Sequence, residues 1–173
     1  MAFLPFPSDD ELSPDSVAAR NAFLDEHPGS INNLDRTLLA SPVAFGVYTG
    51  WFTLRDQVVP FLGERAVNLF SLAISDAYGA PYPSAFFRAE LTASGDDPAG
   101  FDQNGPQVTE AERLVIDWGT AIGGAGDAEI TPELTARVAE TFQPATRLAL
   151  TAYAGMMVAV CAFTVVGQVP ADS

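Results

Sequence analysis

The chain has 173 residues, enough to bury one sizeable core and too few for two independent ones. Its 48% hydrophobic and 10% aromatic content is that of a folded chain, not of a disordered one. Eight cationic residues, all arginine, oppose twenty-two acidic ones for a net charge of −14, so the basic patches that recruit nucleic acid or anionic membranes are missing and neither is expected as a partner.

Residues 1–12 show neither a basic n-region nor a continuous apolar stretch, which reads as no secretory signal and a cytoplasmic location. Ser13-Pro14, Ser41-Pro42 and Thr131-Pro132 each place a capping side chain before a proline suited to the first helical position. Thr109 with Glu112 has capping-box spacing, and Leu114, Val115, Trp118 and Ile122 then fall on one helical face. Helices are predicted over 14–27, 32–40, 42–59, 61–78, 83–94, 109–122, 132–142 and 144–166, an all-α chain forming a single domain over 1–173. The Gly-, Pro-, Asp- and Asn-rich run 94–108 is the longest loop and divides two helical halves. Its acids Asp96, Asp97 and Asp102 lack the alternating spacing of a calcium loop, so no metal is expected there.

His27, before Pro28 and Gly29, ends a helix where an imidazole suits the dipole. On 64–78, Glu64, Asn68, Ser71, Ser75 and Tyr78 advance by three or four residues and form a polar stripe, either a solvated outer face or the polar wall of a pocket. Asp117, a poor helix former inside a helix, fits solvent exposure. Residues 148–167 carry no charge and are long enough to cross a bilayer. Dilution by Ala, Gly and Thr and the absence of basic flanks beyond Arg147 argue instead for a core helix or one buried between subunits, and so for a homo-oligomer: a dimer, trimer or hexamer.

The segments NLDRTLLASP at 33–42 and ERAVNLFSLAISDAYGAPYPSAFFRAELTASGDD at 64–97 resemble the carboxymuconolactone decarboxylase and alkylhydroperoxidase-D family, with the likeness running over roughly 33–167. Arg65 to Leu69, Gly79 and the apolar closing helix match that family's frame; Ala80 and Pro83 stand where it has two cysteines, Phe87 where it has a histidine, and Asn68 where it has a glutamate. The resemblance implies an alkylhydroperoxidase-D-like helical bundle, assembled as a homo-oligomer, with a pocket beside this motif and without the family's thiol chemistry.

In that frame Tyr82, Asn68, Ser84 and Arg88 are the expected catalytic residues, with Ser75, Tyr78, Phe87, Tyr48 and Trp51 around the pocket. The helix start at Ala80–Ser84 offers amides to an anionic group, Tyr82 a phenolic acid or donor, and Arg88 a carboxylate clamp. Two functions follow: cofactor-free acid–base chemistry of lyase, decarboxylase or isomerase type on a small organic acid or carbonyl compound, or a non-catalytic member that binds a small molecule or assembles. The absence of a Gly-x-Ser-x-Gly elbow, a phosphate loop and a dinucleotide fingerprint removes those enzyme classes.

One cysteine, Cys161, set among Val158, Val160, Phe163 and Val165, leaves no resolving thiol. Purified protein is therefore expected to reduce no hydroperoxide with dihydrolipoamide or another dithiol. Turnover above buffer that vanishes in Cys161→Ser would refute this.

Overall fold

The computed structural model describes residues 3–96, 108–124 and 130–172; Asp97 and Asp102 of the long loop lie outside them. Every α-helix starts or stops for a local reason. In α1 (Pro14–Glu26) the Ser13 hydroxyl accepts from Ser16 N–H at 3.1 Å, and α2 (Asn33–Leu38) is opened by Asn32, whose side chain accepts from Asp35 N–H at 2.8 Å. Ser41 caps α3 (Pro42–Gly50), Thr109 and Glu112 form the capping box of α7 (Glu110–Gly123), and Thr131 caps α8 (Pro132–Thr141).

Between these lie α4 (Phe52–Leu62), α5 (Glu64–Tyr78) and α6 (Pro81–Ala93), and the chain closes with α9 (Pro144–Gly167). No strand occurs among the described residues, so the chain is all-α as expected. Gly63 and Gly79 bracket α5 with positive φ of 81° and 74°, conformations that L side chains adopt at a cost.

Most helices shift by one to three residues at an end from the sequence reading, the one expected over 61–78 beginning at Glu64, and three departures have a local cause. The single helix expected over 42–59 is two, α3 and α4, because the chain tightens at Trp51, whose N–H reaches back only three residues to Tyr48 O. Gly46 and Gly50 favour that break. Pro60 does not end α4, since the helix continues through Leu62 and Gly63 N–H closes onto Val59 O. At α6, proline is accommodated at the first turn, so the helix starts at Pro81, two residues before the predicted start.

α5 is the axis of the molecule, packing on α4, α6, α7 and α9, most extensively on α7. Residues Val67, Phe70 and Ile74 of α5 are fully buried with Leu91, Val115, Leu150 and Tyr153 in a main core. A smaller core gathers Leu34, Leu38, Leu39, Phe45, Tyr82 and Val160 beneath α1 to α3. α9 is long and apolar enough to span a membrane by length and composition, and half of its most apolar window is buried inside the molecule.

The α5–α7 contact is made at backbone distance. A Cβ on Gly119 would stand 2.8 Å from Phe70 O, and one on Gly123 would stand 2.9 Å from Ile74 Cα. Arg65 spans the same pair of helices, bonding Glu112 of α7 and, at 3.0 Å, Asp96 beyond α6.

Gly123→Ala is expected to destabilise the fold by about 1–3 kcal/mol, the cost of forcing a methyl into a packed contact, despite alanine's better helix propensity. Gly155→Ala on α9, where nothing lies within 4 Å of the new methyl, is expected to stabilise by about 0.5–1 kcal/mol. Chemical denaturation of the two variants checks the sign of each.

Candidate functional site

A cavity of about 270 Å³ opens where the two cores meet. α2 supplies Leu34 to its wall, α3 Tyr48, α4 Phe52 and Arg55, α5 Asn68, α6 Tyr82, Pro83, Phe86, Phe87 and Glu90, and α9 Tyr153, Met156, Met157 and Val160. The body of the cavity is aromatic and thioether. One pole is polar.

At that pole Arg55 bonds both carboxylate oxygens of Glu64 and donates to Asn68 Oδ1 at 3.3 Å. Asn68 is buried, and Tyr153, fully buried, shares a 2.7 Å hydrogen bond with Ser71. Across the cavity the Tyr82 hydroxyl donates to Asp172 Oδ2 at 2.7 Å and accepts from Leu34 N–H at 3.2 Å, while Asp172 Oδ1 takes Asn33 N–H at 2.7 Å. Tyr82 thus fastens residue 172 and the start of α2 to the cavity wall. Burial and the Asp172 carboxylate hold its phenol protonated far above the ordinary value.

Of the expected catalytic residues, Asn68 and Tyr82 line the cavity together and Ser84 and Arg88 do not. Arg88, one turn and a half along α6 from Tyr82, faces outward and pairs with Asp76 of α5. The cation of the wall is Arg55, on a neighbouring helix. Nor do the amides at the start of α6 form an anion cradle, because Pro81 and Pro83 have no N–H and Ser84 N–H already bonds Ala80 O at 3.2 Å.

Of the expected pocket residues, Tyr48 and Phe87 line the cavity and Ser75, Tyr78 and Trp51 lie outside its lining. Trp51 packs on both cores and Tyr78 is exposed. Ser75 donates to Ser71 O at 2.8 Å beneath α9. The polar stripe of α5 is therefore neither a solvated face nor, for the most part, a pocket wall. Ser71 and Ser75 are sealed against α9, Asn68 reaches the cavity, and Glu64 stands outside the lining, paired with the wall residue Arg55.

Cys161 is fully buried and donates to Ser75 Oγ at 3.8 Å; burial pushes its thiol up to about 11. His27 stacks on Phe23 with ring centroids 4.7 Å apart, and its Nδ1 lies 3.3 Å from Phe23 O. Asp117, expected to face solvent, is half-buried and pairs with Arg137 of α8 at 3.3 Å.

Sequence reasoning missed Arg55, Phe52, Tyr153, Met156 and Met157. The two methionines and Tyr153 recur at helical spacing within an otherwise uniform apolar run, a weak signal for one face. It also missed Asp35, which is 3% exposed with Oδ1 unpartnered and Oδ2 accepting from Asn32 N–H at 3.3 Å. Burial, helped by the nearby Asp172 carboxylate, raises its pKa to about 6 against the Asn32 hydrogen bond. No protein-family model, no curated protein and no solved structure matches the chain.

The raised Asp35 pKa makes a signed prediction. Native Asp35 keeps its proton up to pH about 6, whereas the unfolded chain releases it near the ordinary aspartate value of 3.8, so stability falls as pH rises through that window. The loss amounts to roughly 3 kcal/mol above pH 6, at about 1.4 kcal/mol for each pH unit between the two values. Asp35→Asn is expected to lack this slope, so that its stability relative to wild type improves between pH 4 and pH 7 in urea titrations. Parallel pH profiles would refute the assignment.

Proposed function

We propose that this protein is a small-molecule-binding member of the carboxymuconolactone decarboxylase-like group, working without thiol chemistry and without a cofactor. The observation that carries this reading is positional. Three of the four places where the resemblance replaces a reactive residue, Asn68, Pro83 and Phe87, line one cavity, and the fourth, Ala80, is buried in the main core beside it.

Binding rather than turnover is favoured by what the cavity offers. Its volume and its Phe, Met and Val lining suit a compact apolar molecule. Its phenols are held protonated by burial, which suits donors and not bases. Tyr82, the foremost acid of the catalytic reading, already has both Leu34 N–H and Asp172 as partners. Assembly into a homo-oligomer belongs to the same proposal and is supported by the outward side of α9, where Leu148 is 73% and Val166 66% exposed.

Titration with the neutral fluorophore N-phenyl-1-naphthylamine is expected to give saturable binding at one site per chain. Met156→Trp, which fills the cavity from α9, is expected to weaken it at least tenfold while the variant still unfolds cooperatively. Absence of saturable binding, or unchanged binding in a folded Met156→Trp, would overturn the proposal.

A further inference from the structure

Three phenols line the cavity, and they are not equivalent. Tyr82 and Tyr153 are engaged with Asp172 and Ser71, whereas the Tyr48 hydroxyl makes no hydrogen bond to any described residue. Its ring is held at the end of α3 by an edge contact with Phe52, centroids 5.3 Å apart and planes at 69°. Burial of the side chain first, and then the neighbouring Asp35, Tyr82 and Tyr153, keep it protonated far above the ordinary phenol value. With no partner in the wall, this hydroxyl is a donor open to a ligand in the cavity.

The charges around it select the acceptor. Arg55 is the cation of the lining, and Glu64 already neutralises it. Glu90 adds a carboxylate to the wall, Asp35 lies close to Tyr48, and the prolines of α6 leave that helix start poor in amides. A carboxylate brought in here would be desolvated with no uncompensated cation to meet it, which disfavours it. A neutral oxygen would only need the donor that Tyr48 holds ready.

Resting on the cavity-binding reading above, we infer that the ligand is a neutral, ring-sized apolar molecule with one acceptor oxygen, a ketone, aldehyde or ester, hydrogen-bonded by Tyr48, and that the corresponding carboxylic acid anion is refused. Of the two substrate classes of the sequence reading, an organic acid or a carbonyl compound, this keeps the carbonyl compound and drops the acid. Arg55 is then a structural cation of the Glu64–Asn68 pole, not a ligand clamp.

Displacement of bound N-phenyl-1-naphthylamine at pH 8 by three competitors of one shape tests this: 2-acetylnaphthalene, 2-ethylnaphthalene and 2-naphthoate. The ketone is expected to compete at least tenfold better than the carboxylate. Tyr48→Phe, which keeps the ring and its Phe52 contact, is expected to weaken the ketone about two- to tenfold, the worth of one net hydrogen bond, and to leave 2-ethylnaphthalene unchanged. Glu64→Gln, which unpairs Arg55, is expected to improve 2-naphthoate. Naphthoate competing as well as the ketone in wild type, or a ketone-to-ethyl ratio unmoved by Tyr48→Phe, would overturn the inference while leaving cavity binding intact. Failure of the fluorophore to bind wild type would remove both.

Discussion

The backbone approach of α5 and α7 is the constraint on which the rest of the architecture rests. With Gly119 and Gly123 against Phe70 and Ile74, the two helices lie closer than ordinary side chains allow, and α5 is pinned along one entire side. Its other sides are then available to α4, α6 and α9. Because α7 presses so closely, Phe70 and Ile74 are fully buried, and the bulk needed to complete the core comes from α6 and α9. The cavity lies on the far side of α5 from this contact, where α9 meets the smaller core under α1 to α3. Arg65 closes one end of the α5–α7 pair with two carboxylates, so the polar end of the contact is charged and the deep end is glycine.

A second organising influence is electrostatic. In a chain of net charge −14, each arginine is surrounded by possible partners, and the ion pairs described here join different elements: Arg36 to Asp9, Arg55 to Glu64, Arg88 to Asp76, Arg137 to Asp117. Most are exposed enough that each contributes little to stability. At the cavity the Arg55–Glu64 pair takes the positive charge of the lining out of play as a ligand anchor and leaves hydroxyls as the donors of the wall.

Helix starts were legible because capping is local chemistry: a hydroxyl or amide one residue before a proline or three before a glutamate needs no tertiary information. The break at Trp51 was not, since Gly46 and Gly50 weaken a helix without saying where it yields. The α5 stripe was read correctly as polar, but serine is equally at home facing water, facing a ligand or bonding its own helix carbonyls. Only the arrival of α9 decides. The same limit explains the exchange of Arg88 for Arg55: both lie one or two turns from a cavity residue, and which of them turns inward depends on the rotation of α4 and α6 against α5. Gly119 and Gly123 share the four-residue spacing of a close helix contact, yet read locally as weak points in α7.

Ser71 and Ser75 meet α9 at Tyr153 and Cys161, two positions eight residues apart on a helix whose 148–167 stretch carries no charge. Hydrophobicity cannot orient such a helix, since turning it about its own axis exchanges one apolar side for another at little loss. The two hydroxyls supply the missing information. They fix both the rotation and the axial position of α9, in the way a single buried polar residue sets the register of a coiled coil. Met156, Met157 and Val160 thereby face the cavity in one definite order, and the identity of the outward side of α9 is decided from within.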